Sequence, residues 1–176
     1  MHDELPAALA TLVSQLPLPW ITVAPQAGPA LDWLPIFAFA QGRVGIGLSS
    51  QGAWVQVHDQ RVMPCIEGAA LVALLPLLEM PLEQVRALLS EGLDRHGLPQ
   101  AIGEHFPFAR VVATGLLSPS EYWTTRALQW AADGVRCATV QAALHTLSEN
   151  GPTQNVRHRA RKLARHLPVN ALRSGE

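Results

Sequence analysis

Apolar residues recur along this chain with two different periods, and the change of period divides it. Leu5, Leu9, Leu12, Val13 and Leu16 stand at helical spacing, with Asp3 and Glu4 near the positive end of that helix and Pro17 and Pro19 closing it. Residues 20–23 read as a short strand. Pro25, Gly28, Pro29 and Pro35 make residues 24–35 a connecting loop, from which Trp33 and Leu34 reach into the core. Between residues 36 and 65 the pattern turns β-like: apolar runs at 36–40, 43–48, 53–57 and 61–65 are separated by Gln41-Gly42, Ser49-Ser50-Gln51-Gly52 and His58-Asp59-Gln60. Short runs at about ten-residue spacing with such turns predict an antiparallel meander. Trp54, Gln56 and His58 alternate with Val55 and Val57, so the two faces of that strand differ.

Beyond residue 66 the period is helical. Residues 67–80 predict an apolar helix bent or split at Pro76, and Pro81 can open the next helix, which buries Val85, Leu88, Leu89 and Leu93 and stops at Gly97. Residues 99–105 read as a helical turn, and 110–113 as an ambiguous stretch that suits a last strand. Ser118-Pro119-Ser120-Glu121 has the pattern of a capping box, with Ser118 as cap, Pro119 at the first helical position and Glu121 at the third. Three helices follow, at 119–133, 137–149 and 153–166, with Gly134 and Asn150-Gly151 as stops. Trp123, Trp130, Leu144, Leu147 and Leu163 are expected to form one apolar cluster. The fold class expected is α+β: a small antiparallel sheet with packed helices over residues 1–117, and a three-helix C-terminal subdomain over 118–176.

A chain of 176 residues, 48% apolar, can bury a core without disulfides or metal. The N-terminus has no positive charge ahead of an apolar run, as a secretory signal would need. The longest apolar run, residues 68–78, is interrupted by Pro76 and is well short of the roughly 20 residues of a membrane span. The expectation is a cytoplasmic protein with no membrane association. Cys65 and Cys137 stand apart, form no CxxC pair and read as small buried residues. Lys162 is the sole lysine, a usage that fits a GC-rich, bacterial coding sequence.

Few residues carry an identifiable chemistry. Gly45-Ile46-Gly47-Leu48-Ser49-Ser50 begins like a dinucleotide fingerprint but lacks the third glycine, and a strand follows where a helix N-terminus would have to cradle the phosphates. Neither Ser49 nor Ser50 has glycine two residues away on both sides, as a nucleophile elbow requires. His58 with Asp59, Asp94 with His96, and Glu104 with His105 are neighbours without chelating spacing, so a metal site could only assemble in space, from His58, Asp94 and His96. Glu83 and Glu91 fall on a solvated helix face and make no acid–base pair. No catalytic residue, cofactor or metal requirement is expected.

Charge is unevenly spread. Residues 1–150 carry seven arginines against thirteen carboxylates, whereas residues 151–176 carry six cations against Glu176 alone. Val156, Ala160, Leu163 and Leu167 form a narrow apolar stripe, around which Arg157, Arg159, Arg161, Lys162 and Arg165 present cations. These five are the candidate binding residues. They suit an acidic protein partner or the phosphates of a nucleic acid, or else complement the helix's own dipole and the acidic remainder of the chain.

Leu144 and Leu147 on one helix, the Asn150-Gly151-Pro152 turn, and Val156-Arg157, Ala160 and Leu163 on the next resemble one HEAT-type helix pair, over residues 140–167. The resemblance implies packing and protein binding rather than catalysis. The function expected is therefore a non-catalytic binding or adaptor protein, with an unidentified protein partner engaged by the C-terminal subdomain. The alternative is a nucleic-acid-binding protein using the basic helix 153–166.

Overall fold

In the computed structural model, which describes residues 5–23, 30–58, 61–65 and 68–165, the β-like runs pair as one five-stranded antiparallel sheet. Its strands are β1 (Ile21–Val23), β2 (Leu31–Phe39), β3 (Val44–Ser49), β4 (Trp54–His58) and β5 (Arg61–Pro64), in spatial order β1-β2-β3-β4-β5. Each strand pairs with its sequence neighbour, the arrangement that short turns permit. The helices are α1 (Ala7–Gln15), α2 (Ala69–Ala73), α3 (Leu82–Arg95), α4 (Phe108–Leu116), α5 (Glu121–Ala132), α6 (Ala138–Asn150) and α7 (Gln154–Arg165), with 3-10 turns at Leu75–Glu79 and Gln100–His105. The fold is α+β. The expectations that rest on Asp3 and Glu4, on residues 24–29, on Asp59 and Gln60, on Glu67, and on His166 and Leu167 lie outside the described residues.

By internal contacts the chain forms two units: residues 1–70 with 83–107, and residues 71–82 with 108–176. In the first, β2 starts earlier than expected, since residues 31–35 belong to it and not to a loop. Proline is tolerated there because a β-bulge falls between Pro35 and Phe37, where the ladder does not require every N–H. The glycines of β3 serve close packing. The Trp33 ring lies against Gly45 and Gly47, and a Cβ on Gly47 would sit 2.1 Å from the Leu34 carbonyl oxygen. Phe106 closes the opposite side of the core, edge-on to Trp54 with centroids 5.3 Å apart and 6.3 Å from Phe37. Gln56 is fully buried and donates to the Ala70 carbonyl at 2.6 Å. Ser49 is buried in the β3–β4 turn, where its hydroxyl accepts the Ala53 N–H.

Helix α3 is fastened to the bulge. Gly92 faces the Ile36 carbonyl so closely that a Cβ would stand 2.3 Å from its oxygen, and the His96 Nε2 lies 3.0 Å from the Pro35 carbonyl oxygen. Gly97 then ends the helix in the left-handed conformation, φ 65°.

In the second unit, residues 110–113 are helical, not a strand. The β-branched Val111 and Val112 suggested extension, but Val111, Val112, Gly115 and Leu116 are all buried at helical spacing. Gly115 lets α4 approach α5: a Cβ there would come within 2.8 Å of Ala127 Cβ and of Leu78 Cδ1. The apolar segment after residue 67 is divided, α2 giving way to a 3-10 turn that has Pro76 in its first positions.

Candidate functional site

The three C-terminal helices form where expected, yet their ends are built differently. α5 begins at Glu121 with Ser120 as its cap position. Ser118 uses its hydroxyl to accept the Ser120 N–H, and the Glu121 carboxylate takes the Thr153 hydroxyl at 2.9 Å. A capping box needs that carboxylate to fold back onto its own helix, and here it ties α5 to the start of α7.

Trp130 is the anchor of this unit. It is 1% exposed, lies 5.9 Å from the Phe108 ring and donates its indole N–H to the Met80 carbonyl at 2.9 Å. Leu144 and Leu147 are buried as expected, while Leu163 is half-buried and lines a small void with Leu144 and Val140. Trp123 also stays half-buried, packed edge-on against Tyr122 at 4.8 Å. It belongs to the rim of the helical unit rather than to its core.

Among the five cations singled out on the basic helix, Arg157 and Arg161 bond within the unit. Arg157 donates to the Gly151 carbonyl at 2.7 Å and Arg161 to the Ser148 carbonyl at 3.1 Å. These are carbonyls at the C-terminal end of α6, where cationic donors satisfy unpaired acceptors and the negative end of the dipole. Arg159 is half-buried, and Lys162 and Arg165 are exposed. The stripe that α7 buries consists of Val156 and Ala160.

A different surface of the same unit was missed by sequence reasoning. Tyr122 is 46% exposed and is held from three sides: its hydroxyl donates to the Glu79 carboxylate at 2.8 Å, Trp123 packs on its ring, and the Arg126 guanidinium lies 5.3 Å above the ring centroid. Leu117, five residues earlier, is 57% exposed. The i, i+4 spacing of Tyr122 and Arg126 is visible in the sequence and puts them on one helix face. The partner Glu79, 43 residues away, is not.

Comparison with known protein families, curated proteins and solved structures finds no match to this chain.

The remaining chemistry-bearing residues stay apart. Asp94 accepts from Gln100, and His96 bonds the Pro35 carbonyl. Among the described residues no group of three or more His, Cys, Asp or Glu is arranged to hold a metal ion, and no helix is long and apolar enough to cross a membrane. Cys65 is 1% exposed, and burial pushes its thiol up from 9.0 to about 12. A thiol that stays protonated is a poor nucleophile. It also makes stability pH-dependent. Below pH 9 the thiol is protonated in both states and contributes no slope. Between about 9 and 12 only the unfolded chain releases the proton, so stability falls by about 1.4 kcal/mol per pH unit. Urea unfolding at pH 8, 9.5 and 10.5 should show this loss in the wild type and a smaller one in Cys65→Ala. Equal slopes in the two proteins would refute the assignment.

Proposed function

We propose that this is a non-catalytic binding or adaptor protein acting through protein–protein contacts of its C-terminal helices. The observation that carries the reading is the exposed Tyr122, fixed by Glu79, Trp123 and Arg126. Tyrosine, tryptophan and arginine dominate the energetics of protein interfaces, and side chains already held in place lose little entropy on binding. The resemblance of residues 140–167 to a HEAT-type helix pair supports the same reading. The alternative, a nucleic acid on the basic helix 153–166, would draw on Arg157 and Arg161, whose guanidinium groups each already donate once to a carbonyl at the end of α6.

Affinity capture from the native host after nuclease treatment tests this. A protein that stays bound to wild type, and binds at least tenfold more weakly to Tyr122→Ala/Arg126→Ala, is the expected result. Both substituted residues are exposed, so the melting temperature should change little. If capture disappears with nuclease and depends on Arg159 and Arg165, the nucleic-acid reading replaces this one.

A further inference from the structure

The sheet unit carries a groove of about 430 Å³, within the range that accepts small organic ligands. Trp33, Ala38 and Val57 contribute apolar lining, and Gly45 adds no side chain to it. Among the described residues, the charged ones lining it are Arg43 and Arg95, and no carboxylate does.

Both arginines are positioned by features of the fold that a plain hairpin and helix would not need. Arg43 follows three consecutive left-handed residues, Ala40 (φ 50°), Gln41 (φ 60°) and Gly42 (φ 81°). Two of these are not glycine, and each costs about 1–2 kcal/mol in that region. The turn brings the Ala40 carbonyl under Arg43, which donates to it both its backbone N–H at 3.3 Å and its Nε at 3.2 Å. With Nε fixed, the guanidinium is oriented and its terminal nitrogens remain for a second acceptor. Arg95 is delivered by α3, whose last turns are fastened at Gly92 and His96 to the bulge that itself lines the groove. Its contact with the Glu91 carboxylate at 3.3 Å joins two side chains more than half exposed, a pair that costs little to exchange.

We propose that this groove binds a carboxylate carried on an apolar body, with Arg43 and Arg95 on the carboxylate and Trp33 against the body. Guanidinium forks match a planar carboxylate bidentately, and the apolar lining supplies the remainder of the affinity. A free organic acid and the C-terminal residue of a peptide share this chemistry. The groove lies in the sheet unit and does not depend on the reading of the helical surface.

Titration calorimetry with 1-naphthoate and its neutral counterpart 1-naphthamide tests the carboxylate. A short peptide ending in leucine, with a free or an amidated C-terminus, distinguishes the two sources. The expected result is that one of the two acids binds at least tenfold more tightly than its amide, and that Arg43→Gln and Arg95→Gln each weaken binding by about tenfold or more. Both arginines are exposed, so these variants should keep the wild-type melting profile. Binding by the peptide alone would identify a protein C-terminus as the ligand. Equal affinity for acid and amide, indifference to both substitutions, or no binding of either acid at 1 mM would overturn the proposal.

Discussion

Gly92→Ala is expected to destabilise the protein by about 3 kcal/mol, although alanine in the middle of a helix is ordinarily favoured over glycine by about 1 kcal/mol. The reversal comes from one contact. The added methyl would stand 2.3 Å from the Ile36 carbonyl oxygen and 2.5 Å from Ile36 Cγ2, and neither belongs to a flexible side-chain end. Ile36 is fully buried, so α3 itself has to move away from the bulge, loosening the His96 bond to Pro35. Urea unfolding of the two proteins measures the effect. A variant as stable as wild type, or more so, would mean that α3 and the bulge are not in this contact.

Trp130→Ala should cost about 3–5 kcal/mol, a large part of the 5–15 kcal/mol of an ordinary domain. The substitution empties a site that is 1% exposed, removes the ring beside Phe108 and leaves the Met80 carbonyl without its indole donor. Trp130→Phe keeps most of the apolar contact and loses the hydrogen bond, so it should fall between alanine and wild type. Hydrogen exchange at the α4 and α5 amides should rise in the same order. A loss below about 1 kcal/mol for alanine would remove Trp130 from the role of anchor.

The elements that sequence reasoning recovers are those whose signals are local. Turn residues at Gly42 and Gly52, the apolar stripe of α3 with its stop at Gly97, and the two-glycine punctuation of the last helices all act within a few residues of themselves. The failures share a non-local cause. Pro35 breaks a strand pattern unless a bulge accommodates it, and that bulge is fixed by Gly92 and His96, some 60 residues away. Val111 and Val112 favour extension until Gly115 lets α4 approach α5. Glu121 completes a capping motif on paper, but Thr153 claims its carboxylate. On the basic helix the cations are evident and their acceptors at the end of α6 are not. Neither the surroundings of Tyr122 nor the groove lined by Arg43 and Arg95 could be read in advance, because each assembles residues that only tertiary structure brings together.

Residues 71–82 group with residues 108–176 although residues 83–107 intervene, and this has a consequence for synthesis on the ribosome. Leu74, Leu75, Leu77 and Leu78 leave the exit tunnel well before the helices that cover them. The roughly fifty residues between Leu78 and Trp130 take about 3–10 s to translate at ordinary elongation rates. For that interval the nascent chain displays an uncovered leucine-rich segment, the kind of sequence that holding chaperones bind.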